Sequence, residues 1–183
     1  MPALSRPHPV KLFTGLLSND LSLLAIVKES LENLFGPADL ESPVWPWEHT
    51  TYYEKEMGAA LKRCFVFFKE RIMPDTIAGI KLKTIELEKK YRSEQGGRKI
   101  NIDPGYLDTA KIVLVSTKDF SHRIYLNDGI YGEVTLIYSG KDYQSLPYTF
   151  PDFRTSEYQA VFKQAREIYK KQIKNNEIKT TSY

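Results

Sequence analysis

The sequence predicts one α+β domain, a twisted, mostly antiparallel (mixed) sheet with helices packed on it, whose first half admits a ferredoxin-like core. Three observations predict it. Short apolar or alternating runs recur along the chain, at Val10–Leu17, Leu61–Phe68, Ile112–Val115 and Ile130–Tyr138. Two stretches of helical spacing separate the early runs. Asn127-Asp128-Gly129, set between two runs, is a strong hairpin signal. A length of 183 residues suits a single domain.

Element by element, Met1 to Pro9 holds Pro2, Pro7 and Pro9 and reads as an irregular tail (1–9) ahead of a domain over 10–174. Val10–Leu17 reads as a buried strand. Ser18 to Asp20 offers capping oxygens for a helix in which Leu24, Val27, Leu31 and Leu34 recur at helical spacing, and Gly36-Pro37 stops it. Pro37, Pro43 and Pro46 restrict the stretch to Trp47 to an edge strand or extended loop. Leu61–Phe68 reads as a second buried strand. Pro74-Asp75 opens a second helix with Ile77, Ile80, Thr84, Leu87 and Tyr91 on one face. Gln95-Gly96-Gly97 reads as a turn, and Arg98 to Ile102 as a short strand ending in a second turn, Asp103-Pro104-Gly105. Residues 108–118 admit either a strand through Ile112–Val115 or a short helix capped by Asp108. His122–Leu126 and Ile130–Tyr138 make the hairpin, with Leu126 opposite Ile130 and Arg123 opposite Glu133. Ser139 to Phe153 reads as a loop. Ser156 with Gln159 forms a capping box for a last helix striped by Tyr158, Val161, Phe162, Ala165 and Tyr169, and 175–183 reads as a frayed tail.

Composition narrows the class. Hydrophobic residues are 42% and charged residues 27%, ordinary globular usage that needs no disulfide or metal to fold. Aromatics reach 13%, with twelve Tyr, a residue that collects at pocket rims and interfaces. A net charge of +3 is small for a dedicated nucleic-acid binder, although pI 8.8 leaves room for a local basic patch. The single Cys64 cannot form an internal disulfide, which fits a reducing, cytoplasmic setting. No apolar run approaches the ~18 residues of a membrane span, and no signal-peptide core is present. The chain has no phosphate-binding P-loop, no G-x-G-x-x-G opening a helix, no H-E-x-x-H, no C-x-x-C and no G-x-S-x-G. No spacing of His, Asp or Glu fixes a metal, so neither a metal nor another cofactor is expected.

The polar residues that exceed the needs of a core cluster between Arg98 and Tyr138. His122, with Asp103 or Glu133 to orient it, has the chemistry of an acid-base pair. Arg98, Lys118 and Arg123 suit an anion. A cross-strand Arg123–Glu133 ion pair with His122 at the strand start accounts for part of the same pattern, and Asp103 could equally cap its own turn. Trp45, Trp47 and Tyr53, beside His49, could wall a pocket or stack on a planar ligand; a lid of aromatics over the sheet is the simpler account. The Lys and Arg residues late in the last helix fit a solvated face or an RNA-binding patch.

Several strings together carry a resemblance over about Val10 to Gln172. They include Val10-Lys11-Leu12-Phe13-Thr14-Gly15, Asn101-Ile102-Asp103-Pro104-Gly105-Tyr106-Leu107, His122-Arg123-Ile124-Tyr125-Leu126 and Tyr148-Thr149-Phe150-Pro151-Asp152-Phe153-Arg154. The chain resembles a bacterial family, domain of unknown function 4416. The resemblance implies one whole domain and a bacterial source, and it brings no activity, ligand or catalytic residue with it. The expectation is therefore a protein that binds, or binds and turns over, a small anionic, phosphorylated or nucleotide-like ligand. The alternative is a non-enzymatic module for RNA or a protein partner. The oligomeric state is not legible.

Overall fold

The structure, a computed structural model, describes residues 7–48, 54–94 and 96–180, the side chains of 54–55 and 176–180 excepted. Nine strands form one sheet: β1 Val10–Ser18, β2 Ala38–Glu41, β3 Trp45–Pro46, β4 Lys62–Ile72, β5 Asn101–Leu107, β6 Lys111–Ser116, β7 Ile124–Asn127, β8 Ile130–Ser139 and β9 Asp142–Ser145. The order is β2-β4-β1-β5-β6-β8-β7, with β3 added to β4 and β9 to β8. Every pairing is antiparallel, so the sheet is not mixed. The helices are α1 Leu21–Phe35, the single turn α2 Glu54–Met57, α3 Ile77–Lys90 and α4 Ser156–Thr180. The strands β2-β4-β1-β5, with α1 and α3 as crossovers, have split β-α-β connectivity.

Alternation along the strands sorts the core into two layers. Leu12 and Leu16 of β1 face one way, onto Leu24, Val27 and Leu31 of α1 and Ile77, Ile80 and Leu87 of α3. Phe13 faces the other way, with Phe65 and Phe67 of β4, onto Tyr158, Phe162, Ala165 and Tyr169 of α4. The Phe13 and Phe162 rings meet edge to face at 5.0 Å. Leu34, the last residue of the predicted α1 stripe, is half exposed, because Phe35, four residues after Leu31, takes the inward place against Phe68. Asp20 caps α1 by accepting from Ser22 and Leu23 N–H, and Gly36 closes it at φ 91°, a left-handed conformation suited to glycine.

Five expectations are corrected. Asp103-Pro104-Gly105 is no turn: it lies inside β5. Residues 98–102 are not one strand, since β5 begins only at Asn101. The loop from Ser139 contains β9, folded back on β8 through a turn at Gly140 and Lys141, both at positive φ. The last helix is capped by Thr155, whose hydroxyl accepts from Tyr158 N–H, while Ser156 turns its hydroxyl to Glu157. Asp108 is the strand alternative resolved: its carboxylate takes the Ala110 and Lys111 N–H groups and tightens the β5–β6 turn. The hairpin pairs Asn127, not Leu126, with Ile130, through a bulge after Tyr125 that still brings Arg123 to Glu133.

The feature that makes a site is a fork. β5 and β6 pair only from Gly105 to Leu107, so Asn101–Pro104 leave β6 while β6 runs on beside β8. The fork exposes one edge of β5, and α3 satisfies it. Ile102 N–H donates to Glu88 Oε1 at 2.6 Å, and its carbonyl accepts from Lys81 Nζ at 2.8 Å. Pro104, two residues on, turns the same way, so its missing N–H costs no ladder bond.

Candidate functional site

The fork opens on a cavity of about 450 Å³. Its β5 side carries Arg63 from β4, Lys81 from α3, and Arg98, Asn101 and Asp103. Its β6–β8 side carries Ser116, Thr117, Lys118, Arg123 and Glu133. Leu17, Trp47, Leu114, Phe150 and Phe153 supply apolar wall, and Asp152 joins them. Five basic side chains thus meet three carboxylates around one space.

On the β5 side, Asp103 is the hub. Its Oδ2 accepts from Asn101 Nδ2 at 2.7 Å and Arg63 Nη1 at 3.2 Å, and Lys81 Nζ lies 3.6 Å from Oδ1. Burial works against the Asp103 charge, but Lys81 and Arg63 outweigh it and hold its carboxyl below the usual range. Burial opposes the Arg63 charge too, and Asp103 and Asp152 overcome that and raise its pKa further. Glu88, behind Ile102, goes the other way: burial raises it, and Lys81 offsets that only in part. The Arg63 guanidinium sits where β1 has Gly15. A Cβ there would stand 3.2 Å from Arg63 Cζ and 3.0 Å from the Phe65 ring. Arg98 spans the rim, held by both Glu56 oxygens at 2.9 and 2.7 Å and giving Nη1 to Asn101 at 3.0 Å.

On the opposite side, Glu133 is nearly inaccessible and gathers three groups. Arg123 Nε donates to its Oε2 at 2.8 Å, His122 Nε2 reaches the same oxygen at 3.1 Å, and Thr135 donates to Oε1 at 3.3 Å. Alternation in a continuous strand would set His122 and Arg123 on opposite faces. β7 begins only at Ile124, and the turn before it lets both reach Glu133. Arg123 Nη1 also ties down the β6–β7 loop, at Ser116 Oγ (3.2 Å) and the Lys118 carbonyl (2.8 Å). The His122 ring stacks on Tyr148, 4.2 Å between centroids and 11° between planes.

Of the residues singled out from sequence, Arg98, Asp103, Lys118, Arg123, Glu133 and Trp47 line this one cavity. His122 does not: it stands behind Glu133 and positions it. Trp45 lies apart, packed on Tyr158 at 5.0 Å in the α4 layer. Tyr53 and His49 lie outside the described residues. Asp103 does not cap a turn. Sequence reasoning missed Arg63, Lys81 and Asp152. Arg63 was visible as a charge inside an apolar strand, and Lys81 as a residue four after Ile77 on the buried helix face. Asp152 gave no signal. Among the described residues no group of His, Cys, Asp and Glu could hold a metal ion. No described helix is long and apolar enough to cross a membrane.

No curated protein and no solved structure matches the chain. A family model does, over residues 8–169, which include β1 to β9, the fork and both of its walls. The chain belongs to the family described as Domain of unknown function (DUF4416).

Proposed function

We propose that the fork cavity binds a small anionic ligand, phosphorylated or nucleotide-like, with Lys118, Arg98 and Arg123 as its cationic contacts. The observation that supports this most directly is the state of Arg123. Glu133, Ser116 and the Lys118 carbonyl fix its Nε and Nη1, and Nη2 has no hydrogen-bond partner among the described residues. A guanidinium held in place with a donor to spare is preorganised for an oxyanion. Glu133 and Asp103 are the groups that could move a proton if the ligand is turned over, with His122 acting through Glu133. The lone Cys64 supports a reducing, cytoplasmic setting: it is buried, and burial pushes its thiol up to about 11.

A thermal-shift screen tests the reading. A ligand at ~100 Kd adds roughly 2.7 kcal/mol, a rise of about 5–10 °C for a chain of this size. Inorganic phosphate or nucleotides should raise Tm, and the rise should vanish in a folded R123Q protein while H122A keeps part of it. No rise across phosphates and nucleotides sinks the proposal.

A second reading, a module for a protein partner, has its own support. Phe120, Ile124, Tyr125 and Leu126 are exposed on and beside β7, the edge strand. The RNA version has less, because Lys163, Arg166 and Lys170 of α4 already pair with Asp142 or Glu167. A substitution such as I124K should abolish partner binding and leave a phosphate response intact; loss of both would tie β7 to the cavity instead.

A further inference from the structure

The Arg63 side of the cavity is short of hydrogen bonds in a specific way. Asp152 is a buried carboxylate, its side chain 8% exposed. Its Oδ1 accepts from Phe153 N–H at 3.1 Å. Among the described residues its Oδ2 has only long contacts, Trp47 Nε1 at 3.4 Å and Arg63 Nη2 at 3.9 Å. Charge-assisted N–H···O bonds close at about 2.7–2.9 Å, so the Arg63–Asp152 pair is spaced rather than bonded. Arg63 itself is 7% exposed at the side chain, gives Nη1 to Asp103, and among the described residues has no hydrogen-bond partner for its buried Nε.

Two atoms 3.9 Å apart can each lie about 2.8 Å from a third placed between them. That third atom must donate to a carboxylate and accept from a guanidinium. A hydroxyl oxygen does both. An ionised phosphate or carboxylate oxygen only accepts, and Asp152 would repel it. The anion is therefore directed to the opposite wall, where Arg123 and Lys118 stand, and a neutral hydroxyl to the Arg63–Asp152 gap. A ligand hydroxyl makes the same two bonds a water would make there, so no bond is lost when it takes a water's place.

We infer that the ligand of this cavity is a sugar phosphate, its phosphate taken by Arg123 and Lys118 and one of its hydroxyls read by Asp152 and Arg63. The inference rests on the anion-binding reading above and adds the chemistry of the ligand's other end.

Calorimetric titration of the full chain with inorganic phosphate, methyl phosphate and ribose 5-phosphate tests it. Ribose 5-phosphate should bind about tenfold tighter than methyl phosphate or better, the usual weight of a hydrogen bond to a charged group. In D152A, which removes the acceptor, ribose 5-phosphate should lose its advantage over methyl phosphate. Equal binding of both esters to the natural protein overturns the sugar-phosphate inference and leaves the anion site standing. Binding of neither overturns the anion reading and this one with it. A D152A protein that keeps the preference shows the hydroxyl is read elsewhere, and also overturns the inference. If D152A does not fold, the comparison of the two esters on the natural protein decides the question alone.

Discussion

Replacing Asp103 with Ala should destabilise the protein by about 3 kcal/mol, read as a lower urea midpoint at unchanged slope. Removing one partner of a buried ion pair typically costs about 3–5 kcal/mol, because the charge left behind is uncompensated. Here two cations are left, Arg63 and Lys81, both almost wholly buried. The lower end of the range applies because the Asp103 side chain keeps 29% of its surface, through the cavity. Asp103→Asn should cost less, since an amide still accepts from Arg63 and Asn101. The pH dependence has a definite sign. The folded pKa of Asp103 lies below its unfolded value, near 3.9, so its stabilisation is complete above that value. It is lost as pH falls through the folded pKa. The gap in stability between the natural protein and D103N should thus be flat at neutral pH and narrow below about pH 4. Glu88 contributes with the opposite sign. Its folded pKa is raised, so its contribution is complete below about pH 4.3 and lost as pH rises through the folded value. E88Q should therefore become relatively more stable as pH rises. A gap for D103N that widens in acid would show that Lys81 and Arg63 do not hold the Asp103 charge.

The fold was legible where one face of an element is buried and local chemistry agrees with it. β1, α1 with its Gly36 stop, α3 and the β7–β8 hairpin all follow from periodicity and turn residues. Asp103-Pro104-Gly105 was not, because those three residues make turns by the same properties they use here for other ends. Pro104 needs no partner on the fork side, Asp103 answers two cations from β4 and α3, and Gly105 admits a neighbouring backbone. Each reason lies in another strand or helix, outside the few residues that a turn signal reads. The same holds for the site. Arg98, Lys118, Arg123 and Glu133 stood out because they are polar in segments that otherwise build a core. Their meeting with Arg63, Lys81 and Asp152 depends on where β5 leaves β6, and no local pattern encodes that. Trp45 misled because an aromatic near a site and an aromatic in a core have the same signature.

Gly105→Ala is expected to cost at least about 3 kcal/mol, the upper part of the range for an overpacked core. Gly105 pairs with Leu114 at the vertex of the fork. A Cβ there would stand 2.5 Å from the Val113 carbonyl oxygen, 2.6 Å from Phe13 Cζ and 3.0 Å from a Leu114 methyl. Phe13 is locked between Phe67 and Phe162, and the Val113 oxygen is backbone, so neither yields without moving a strand. Only three residue pairs join β5 to β6, and a shift at Gly105 strains all of them. The entropy that alanine removes from the unfolded chain returns only about 0.4–1 kcal/mol. Gly132→Ala is the control. It also lies in a strand, but the three atoms nearest its Cβ would all belong to the Leu126 side chain, the first at 3.3 Å, and that side chain is exposed and can turn away. G132A should be neutral within about 0.5 kcal/mol. Equal costs for the two substitutions would mean that the β5–β6 vertex is no tighter than an ordinary strand position. A large cost at Gly105 alone, with loss of the phosphate response in whatever fraction stays folded, would show that the vertex holds the two walls of the cavity apart at the distance the ligand requires.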